Sequence, residues 1–261
     1  MSKILMCPPT YFGIEYVINP WMDMANQVDK NTVSKQWNNL KDTLEEAGAE
    51  IELIEPQPSL PDMVFTANAG LLRDNVFIPS RFKFSERQRE MRYWIEWFQN
   101  AGYEVREIQT DLPFEGAGDA LSGKVLFGGY GFRSSKESYK EIEEILSSEI
   151  IPLHLVDDRF YHLDTCFSPL NEESAILYEG AFDDESVQLL KEHISYFSVP
   201  EEEAARFACN AVVINKNVIL PTDCPETEKH LQSIGFTTFA VDMSEFLKSG
   251  GAAKCLTLKL F

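Results

Sequence analysis

Cys255 is the residue of this chain whose surroundings most suggest chemistry. It follows a run of small residues that begins at Gly250, and small residues ahead of a strand leave room for a ligand to approach the backbone. A thiolate is a strong nucleophile once a nearby cation lowers its pKa. Considered alone, a cysteine is more often a small buried hydrophobe, so this interpretation depends on the other residues that the fold places beside it.

His162 and two acidic residues supply the acid–base groups that a nucleophile needs. His162 and Asp164 are two positions apart, so on a strand they would share one face, and a carboxylate beside an imidazole orients the ring and raises its pKa. Glu115 lies in a turn with Gly116 and Gly118, where glycine permits an unusual backbone and the close approach of a ligand. We therefore predict covalent catalysis by the thiol with the imidazole as acid and base.

Two arginines follow predicted strand ends, Arg81 and Arg133. A planar guanidinium in that place can hold a substrate carboxylate with two hydrogen bonds; a surface salt bridge is the alternative for each. The glycine-rich stretches 115–119 and 128–131 lack the spacing of a phosphate loop or a dinucleotide-binding motif. The cysteines and histidines lack the spacing of zinc ligands.

Five similar segments position these groups along the chain. Each opens with a lead residue among small ones, runs apolar, turns on small or polar residues and runs apolar again. The leads are 45 to 51 positions apart and are Asn68, Asp119, Asp164, Asn210 and Cys255. A period in this range indicates repeat arrays or propellers. If the units close into a ring, five equivalent strand starts meet at one axis, and the thiol lies where the other units carry Asn or Asp.

Helical and strand patterns alternate between these segments. We predict helices over 33–48, 85–102, 136–148, 184–193 and 226–234, and strands over 51–55, 103–108, 151–156 and 237–241. Such alternation is typical of an α/β architecture. The last unit ends with the chain, so residues 3–6 are expected to complete the ring. Residues 1–261 would then form one closed domain.

The composition excludes several classes of partner. A net charge of −19 argues against a nucleic acid or an anionic membrane, since both need basic patches, and it suits a small cationic substrate. No stretch approaches the roughly 20 apolar residues of a membrane span, and the N-terminal apolar run is too short for a signal peptide. An odd count of five cysteines predicts reduced thiols in a cytoplasmic protein. A homodimer, the commonest assembly, is expected.

The motifs together resemble those of the guanidine-modifying superfamily, the pentein or α/β-propeller enzymes. This group includes arginine deiminases, dimethylarginine dimethylaminohydrolases, amidinotransferases and the arginine dihydrolases that form ornithine. The motifs that carry the resemblance are 61–70, 114–121, 162–165 and 251–257. They occur in the family's order, and together they imply a five-fold pseudo-symmetric α/β propeller of ββαβ-type units.

The resemblance also implies roles for individual residues. Cys255 would attack the guanidinium carbon of arginine to form an S-alkylthiouronium intermediate, and His162 would protonate the leaving group and then activate water. The remaining residues would bind the substrate. Glu115 and Asp164 would hold the guanidinium, Phe65 would pack on its plane, Arg81 and Arg133 would bind the α-carboxylate, Asp62 or Asn19 would meet the α-amine, and Asp119 would belong to the same site. No metal or organic cofactor would be needed.

Asn68 departs from the pattern of the deiminases, which carry an aspartate there. An aspartate suits a cationic guanidinium, whereas an amide can donate a hydrogen bond to the carbonyl oxygen of a neutral urea. This feature favours an arginine dihydrolase, which hydrolyses citrulline further to ornithine, ammonia and carbon dioxide. The alternatives are a dimethylarginine dimethylaminohydrolase, an amidinotransferase or a non-catalytic binding protein of the same fold.

Overall fold

The computed structural model of the protein describes residues 2–260. It contains five small sheets, and each sheet has three strands. In chain order the strands are β1 (Ser2–Met6), β2 (Ala49–Leu53), β3 (Gly70–Arg73), β4 (Val76–Pro79), β5 (Glu104–Val105), β6 (Ala120–Ser122), β7 (Leu126–Tyr130), β8 (Ile150–His154), β9 (Phe167–Pro169), β10 (Ser174–Leu177), β11 (Ser195–Ser198), β12 (Val212–Ile214), β13 (Asn217–Pro221), β14 (Thr237–Val241) and β15 (Leu258–Leu260). The helices are α1 (Lys30–Glu46), α2 (Ser85–Gln88), α3 (Met91–Asn100), α4 (Ser138–Leu146), α5 (Asp184–His193), α6 (Glu201–Ala204), α7 (Pro225–Ser233) and α8 (Ser244–Leu247). The fold is therefore mixed α/β, as the sequence predicts.

Each sheet repeats one pattern of pairing. Its first two strands are antiparallel, as in β3 and β4, where Leu71 pairs with Ile78. Its third strand is parallel to the second, as in β5, where Val105 pairs with Phe77. At least one helix links the second strand to the third in every sheet, because a parallel neighbour requires a crossover connection. The five sheets fit the five repeat units that the sequence predicts.

One sheet combines the two ends of the described chain. Strand β15 pairs antiparallel with β1, with Leu258 opposite Leu5, and β2 completes the sheet in parallel. The prediction that residues 3–6 complete the last unit is therefore confirmed. Met1 and Phe261, which the single-domain prediction includes, lie outside the described residues.

Hydrogen bonds link the segments that precede the first strand of consecutive sheets. The five links, taken in order, are Ala67 N to Cys255 O (3.1 Å), Asn68 Nδ2 to Glu115 O (3.4 Å), Leu163 N to Asp119 Oδ1 (3.0 Å), Asn210 Nδ2 to Asp164 O (2.9 Å) and Cys255 N to Asn210 Oδ1 (3.1 Å). Each link joins two consecutive units, and the bond between Ala67 and Cys255 joins the fifth unit to the first. These segments therefore contact one another although they are far apart in the sequence.

Several local elements differ from the sequence-based predictions. The helix predicted over 85–102 is two helices, α2 and α3, with a turn at residues 89–90. Arg87 and Glu90, which lie in and beside this turn, pair with each other and are both buried. Strand β5 is shorter than the predicted 103–108, and α5 has the predicted bounds.

The longest helix shows how the sequence pattern produces the core. Helix α1 buries Val33, Trp37, Leu40 and Leu44, which recur at the spacing of one helical face. Asp29 caps the helix, because its side chain accepts a hydrogen bond from the backbone N–H of the third helical residue. Among residues 2–260, no helix combines the length and apolar character needed to cross a membrane.

Candidate active site

A small pocket gathers most of the predicted site residues. Its empty space, which includes its opening to solvent, is about 270 Å³. Seven of its lining residues were predicted from the sequence, namely Asn19, Asp62, Phe65, Asn68, Arg133, His162 and Cys255. A larger cavity elsewhere in the described structure is lined mainly by strand residues and by none of the predicted site residues. The smaller pocket is therefore the candidate active site.

The thiol of Cys255 lies between an amide and a carboxylate. Its Sγ is 3.4 Å from Oδ2 of Asp164 and 3.0 Å from Nδ2 of Asn210. Burial raises the pKa of Cys255 well above its usual range, and the negative charge of Asp164 adds to this effect. In the free protein the sulfur is therefore held mainly as a neutral thiol, and a cation beside it would favour the thiolate.

His162 is oriented by Glu115 and not by Asp164. Its Nε2 lies 2.7 Å from Oε2 of Glu115, and the ring is buried. The prediction that His162 and Asp164 share a strand face is wrong, because a 3₁₀ turn over Leu163–Thr165 lies there. Asp164 instead faces the sulfur. The carboxylate–imidazole pair that acid–base catalysis needs is present, with a different carboxylate.

Glu115 is an ionised group at the back of the pocket. Its burial alone would raise its pKa, but the charge of Arg133 and the hydrogen bond with His162 lower the pKa well below its usual range. Nη1 of Arg133 is 2.9 Å from Oε2 of Glu115, and both side chains are buried. Glu115 therefore stays negatively charged at any pH at which the protein is folded and active.

The side-chain amide of Asn68 has a fixed orientation. Its Oδ1 accepts a hydrogen bond from Nη1 of Arg87 at 2.9 Å, so its Nδ2 is the end that is free to donate. Among residues 2–260, Nδ2 makes one long hydrogen bond, to the carbonyl of Glu115 at 3.4 Å. Gly118 is required beside it, since a Cβ there would lie 2.2 Å from Nδ2. A donor N–H thus faces the pocket.

Arg87 is held by a buried network of its own. Its Nε and Nη2 bind the two carboxylate oxygens of Glu90 at 2.8 and 3.0 Å, and its Nη2 also donates to the carbonyl of Asp62. Its guanidinium lies 4.3 Å from the centre of the Phe82 ring. Arg87 lines the pocket and brings a second positive charge to it beside Arg133.

Asp62 offers an unsatisfied acceptor to the pocket. Its Oδ2 accepts from the hydroxyl of Tyr16 at 2.9 Å, whereas its Oδ1 is buried without a hydrogen-bond partner among the described residues. Burial raises the pKa of Asp62, and the charge of Arg87 opposes this effect. Asn19, also in the pocket, donates from Nδ2 to the carbonyl of Ser249 at 3.0 Å. This end of the pocket therefore has a free carboxylate oxygen suited to a cationic group.

Phe65 and Arg133 shape the remaining walls. Phe65 is buried and packs against Gly251, where an added Cβ would lie 2.3 Å from the ring. The guanidinium of Arg133 lies 4.5 Å from the centre of the Tyr161 ring and donates to the carbonyl of Ile18 at 3.0 Å. Stacking on an aromatic ring and a carboxylate partner together fix its direction.

Four predicted site residues are not among the residues that line the pocket. Glu115 and Asp164 contact the lining residues His162 and Cys255, whereas Arg81 and Asp119 have other partners. Arg81 is partly exposed and pairs with Asp111, so the structure does not bring it to the pocket. Asp119 is buried and accepts from the hydroxyl of Ser134 at 2.6 Å and from the backbone of Leu163 at 3.0 Å. Both carboxylate oxygens of Asp119 therefore bind protein groups, and its observed contacts are structural.

Sequence reasoning missed three residues of this site. Arg87 lies six positions after Arg81. It lines the pocket, where Arg81 was expected. Tyr161 lines the pocket directly before His162, and Asn210 contacts the sulfur. Asn210 carried a signal in the sequence, since it leads one of the five repeats, whereas no pattern marked the other two. Residues 2–260 contain no group of three or more His, Cys, Asp or Glu side chains arranged to hold a metal ion.

Comparison with known proteins shows the family to which this chain belongs. Residues 9–261 match the family model described as N,N dimethylarginine dimethylhydrolase, eukaryotic. The chain is 38% identical to the N(G),N(G)-dimethylarginine dimethylaminohydrolase of Mycobacterium tuberculosis, over 99% of this chain and 85% of that protein. The chain therefore belongs to the dimethylarginine dimethylaminohydrolase family.

Two further relatives are longer proteins. The chain is 44% identical to AgrE of Nostoc sp., a bifunctional arginine dihydrolase/ornithine cyclodeaminase, over 99% of this chain and 38% of AgrE. The N-terminal domain of ArgZ, a protein of Synechocystis sp., has a solved structure covalently bound to a reaction intermediate; it matches with a TM-score of 0.97 and 43% identity, over 100% of this chain and 98% of that one. The chain spans well under half the length of these two curated relatives.

Proposed function

We propose that the protein is an arginine dihydrolase, which uses Cys255 to hydrolyse the guanidinium group of arginine and releases ornithine, ammonia and carbon dioxide. One observation carries the proposal: a thiol, an imidazole bound to an ionised carboxylate and an amide donor line one pocket. The similarity to AgrE and ArgZ, which are both named as arginine dihydrolases, supports it. The net charge of −19 suits a cationic substrate.

The charges of the pocket suit the two ends of arginine. At one end Asp164 and Glu115 would offset the guanidinium, and Phe65 would pack on its plane. At the other end the α-carboxylate would bind Arg133 and Arg87, since a guanidinium can bind a carboxylate with two hydrogen bonds. The α-amine would bind the free Oδ1 of Asp62, with Asn19 beside it, because that buried oxygen has no partner among the described residues.

The first hydrolysis proceeds through a covalent intermediate in this proposal. The guanidinium cation favours the thiolate of Cys255; the thiol proton passes to His162, and the thiolate attacks the guanidinium carbon. The imidazolium of His162 then donates its proton as the bond to a terminal nitrogen breaks, and ammonia leaves. Water attacks the S-alkylthiouronium carbon while the neutral His162 takes its proton, and the carbon–sulfur bond breaks to give citrulline and the thiolate, with the remaining proton taken up by ammonia. Glu115 stabilises the imidazolium form of His162, which is present before ammonia leaves and again after water attacks.

Asn68 distinguishes a dihydrolase from an enzyme that stops at citrulline. Arg87 holds the amide oxygen, so the amide N–H is free to donate to the neutral carbonyl oxygen of citrulline. Citrulline then stays bound and is attacked a second time at the ureido carbon. This second round releases another ammonia and leaves a carbamate that breaks down to carbon dioxide and ornithine.

Product analysis tests the proposal. The purified protein is incubated with arginine, and ornithine, citrulline and ammonia are measured against time. We expect ornithine with about two ammonia per arginine consumed, which is the ratio that two successive hydrolyses require. Citrulline that accumulates without ornithine would reject the dihydrolase.

A dimethylarginine dimethylaminohydrolase is the second candidate function, because the family model and the mycobacterial relative carry that name. Methylated arginine needs a roomier guanidine end than arginine does. Measuring kcat/KM for arginine, methylated arginines and agmatine side by side separates the two functions, since the specificity constants rank the substrates directly. A dihydrolase prefers arginine and forms ornithine; the alternative prefers dimethylarginine and stops at citrulline.

Three finer features remain proposals. We propose that the five sheets are the blades of a propeller, because hydrogen bonds link the segments ahead of their first strands in a closed circuit. We also propose a homodimer and a cytoplasmic location. The five cysteines, which are all free, are consistent with a reducing compartment.

A further inference from the structure

We propose that Asn210 stabilises the thiolate of Cys255 by donating a side-chain hydrogen bond to Sγ, and so sets the reactivity of the nucleophile. The proposal rests on the role of Cys255 in the proposed function. It assigns a task to Asn210, a repeat lead that the mechanism above leaves unused.

The contact itself is short and buried. Nδ2 of Asn210 lies 3.0 Å from Sγ, and Asn210 is fully buried. Water therefore does not compete for the sulfur on this side. A hydrogen bond to a charged acceptor in such surroundings is stronger than one to a neutral acceptor. The bond consequently favours the thiolate over the thiol.

The backbone fixes which end of the amide faces the sulfur. Oδ1 of Asn210 accepts from the backbone N–H of Ala252 at 3.2 Å and of Cys255 at 3.1 Å. A flipped amide would point its own N–H groups at these two donors, which is unfavourable. The second N–H of Nδ2 donates to the carbonyl of Asp164 at 2.9 Å. All of the hydrogen-bonding capacity of the amide is used, so its donor stays directed at Sγ.

The other charged groups around the sulfur show why this donor is needed. The carboxylate of Asp164 lies 3.4 Å from Sγ and disfavours a second negative charge. Lys254 adds a positive charge that favours the thiolate, although burial lowers the pKa of Lys254 itself. Tyr161 and His162 line the same pocket. Asn210 offsets the repulsion from Asp164 with no charge of its own.

Asn210→Asp tests the proposal with minimal change in shape. The aspartate keeps an oxygen for the two backbone donors but cannot donate to Sγ when it is ionised. The matched control is Asn217→Asp, since Asn217 donates to the carbonyl of Ala47 and does not line the pocket. Two quantities are measured for each variant: the pH dependence of alkylation of Cys255 by iodoacetamide, followed by mass spectrometry of its peptide, and kcat and KM for arginine.

The expected result is a shift in the reactivity of Cys255. Alkylation of Cys255 in Asn210→Asp shifts to higher pH by about one unit or more, and kcat falls roughly 10- to 100-fold with a smaller change in KM. The control changes neither quantity. Aspartate also adds a negative charge near Sγ, so Asn210→Ser, which removes the reach to Sγ without a charge, is measured beside it with the same direction of change expected, whether or not Asn210→Asp folds by circular dichroism.

Two results would overturn the role of Asn210. One is an unchanged alkylation profile with kcat within about threefold of the wild type. The other is a lower kcat with an unchanged alkylation profile, which would indicate a purely structural contribution. Because alkylation is measured without substrate, it tests Asn210 even if the wild-type protein does not hydrolyse arginine. That failure would count against the proposed function alone.

Discussion

Replacing Asn68 by aspartate should change the product of the enzyme without removing its first activity. The side chain keeps its size, which matters because Gly118 leaves no room for a larger group. Oδ1 would keep its contact with Arg87, now as an ion pair. The former Nδ2 becomes an oxygen that repels the carbonyl of citrulline but still suits the guanidinium of arginine.

The size of the effect follows from the hydrogen bond that is lost. A neutral hydrogen bond contributes about 0.5–1.5 kcal/mol, and two buried acceptors facing each other cost about 1–3 kcal/mol more. The sum, about 1.5–4.5 kcal/mol, corresponds to a decrease of roughly 10- to 2,000-fold in the rate of the citrulline step. Arginine is still attacked, so Asn68→Asp should release mainly citrulline.

Amino-acid analysis after complete consumption of arginine gives the ratio of citrulline to ornithine. The wild type should give mainly ornithine, Asn68→Asp mainly citrulline, and Asn217→Asp, whose contact is with the carbonyl of Ala47, the wild-type ratio. An unchanged ratio in a folded Asn68→Asp variant would refute the role of the amide in retaining citrulline.

Three further perturbations test other parts of the site. Cys255→Ser should abolish turnover of every guanidine substrate, since a neutral hydroxyl is a far weaker nucleophile; turnover at even about 1% of wild type, read by ammonia release, would remove the thiol from the mechanism. Burial raises the pKa of Asp164 to about 6, so it loses its charge below that pH. We expect kcat/KM for arginine to fall about tenfold per unit on the acid side, and a flat profile down to about pH 5 would contradict this role. Arg87→Met leaves Glu90 buried without its partner and should cost about 3–5 kcal/mol of unfolding free energy, measured by thermal denaturation. Adding Glu90→Leu should recover most of the loss, and no recovery would mean that the pair is not coupled.

The repeat pattern explains why so much of the architecture could be predicted. Evenly spaced leads such as Asn68 and Cys255 fixed the number of units, and the pairing of β15 with β1 follows once five units must share one plan. The ends of helices and strands were harder to predict, because the burial of single residues decides them. A turn at residues 89–90 separates helices α2 and α3, and no periodicity in the sequence indicates it.

The sequence predicted which residues belong to the site better than it predicted which of them contact each other. The spacing of His162 and Asp164 indicated a pair only under the assumption of an extended strand, and the 3₁₀ turn over Leu163–Thr165 separates them. Their actual partners, Glu115 and Cys255, are distant in sequence. The arginine that follows β4 was likewise misplaced, because local sequence cannot tell which of several neighbouring arginines points inward.

The pairing of β15 with β1 should make assembly of the active site a late step in folding. Leu258 and Leu5, which pair in this sheet, are about 250 positions apart, and contacts between such distant segments form slowly. The nucleophile lies only three residues before β15. The helices α1 to α8 all precede Cys255 in the chain. Return of arginine turnover after dilution from denaturant therefore times the joining of the two ends, which helical circular dichroism alone would not detect.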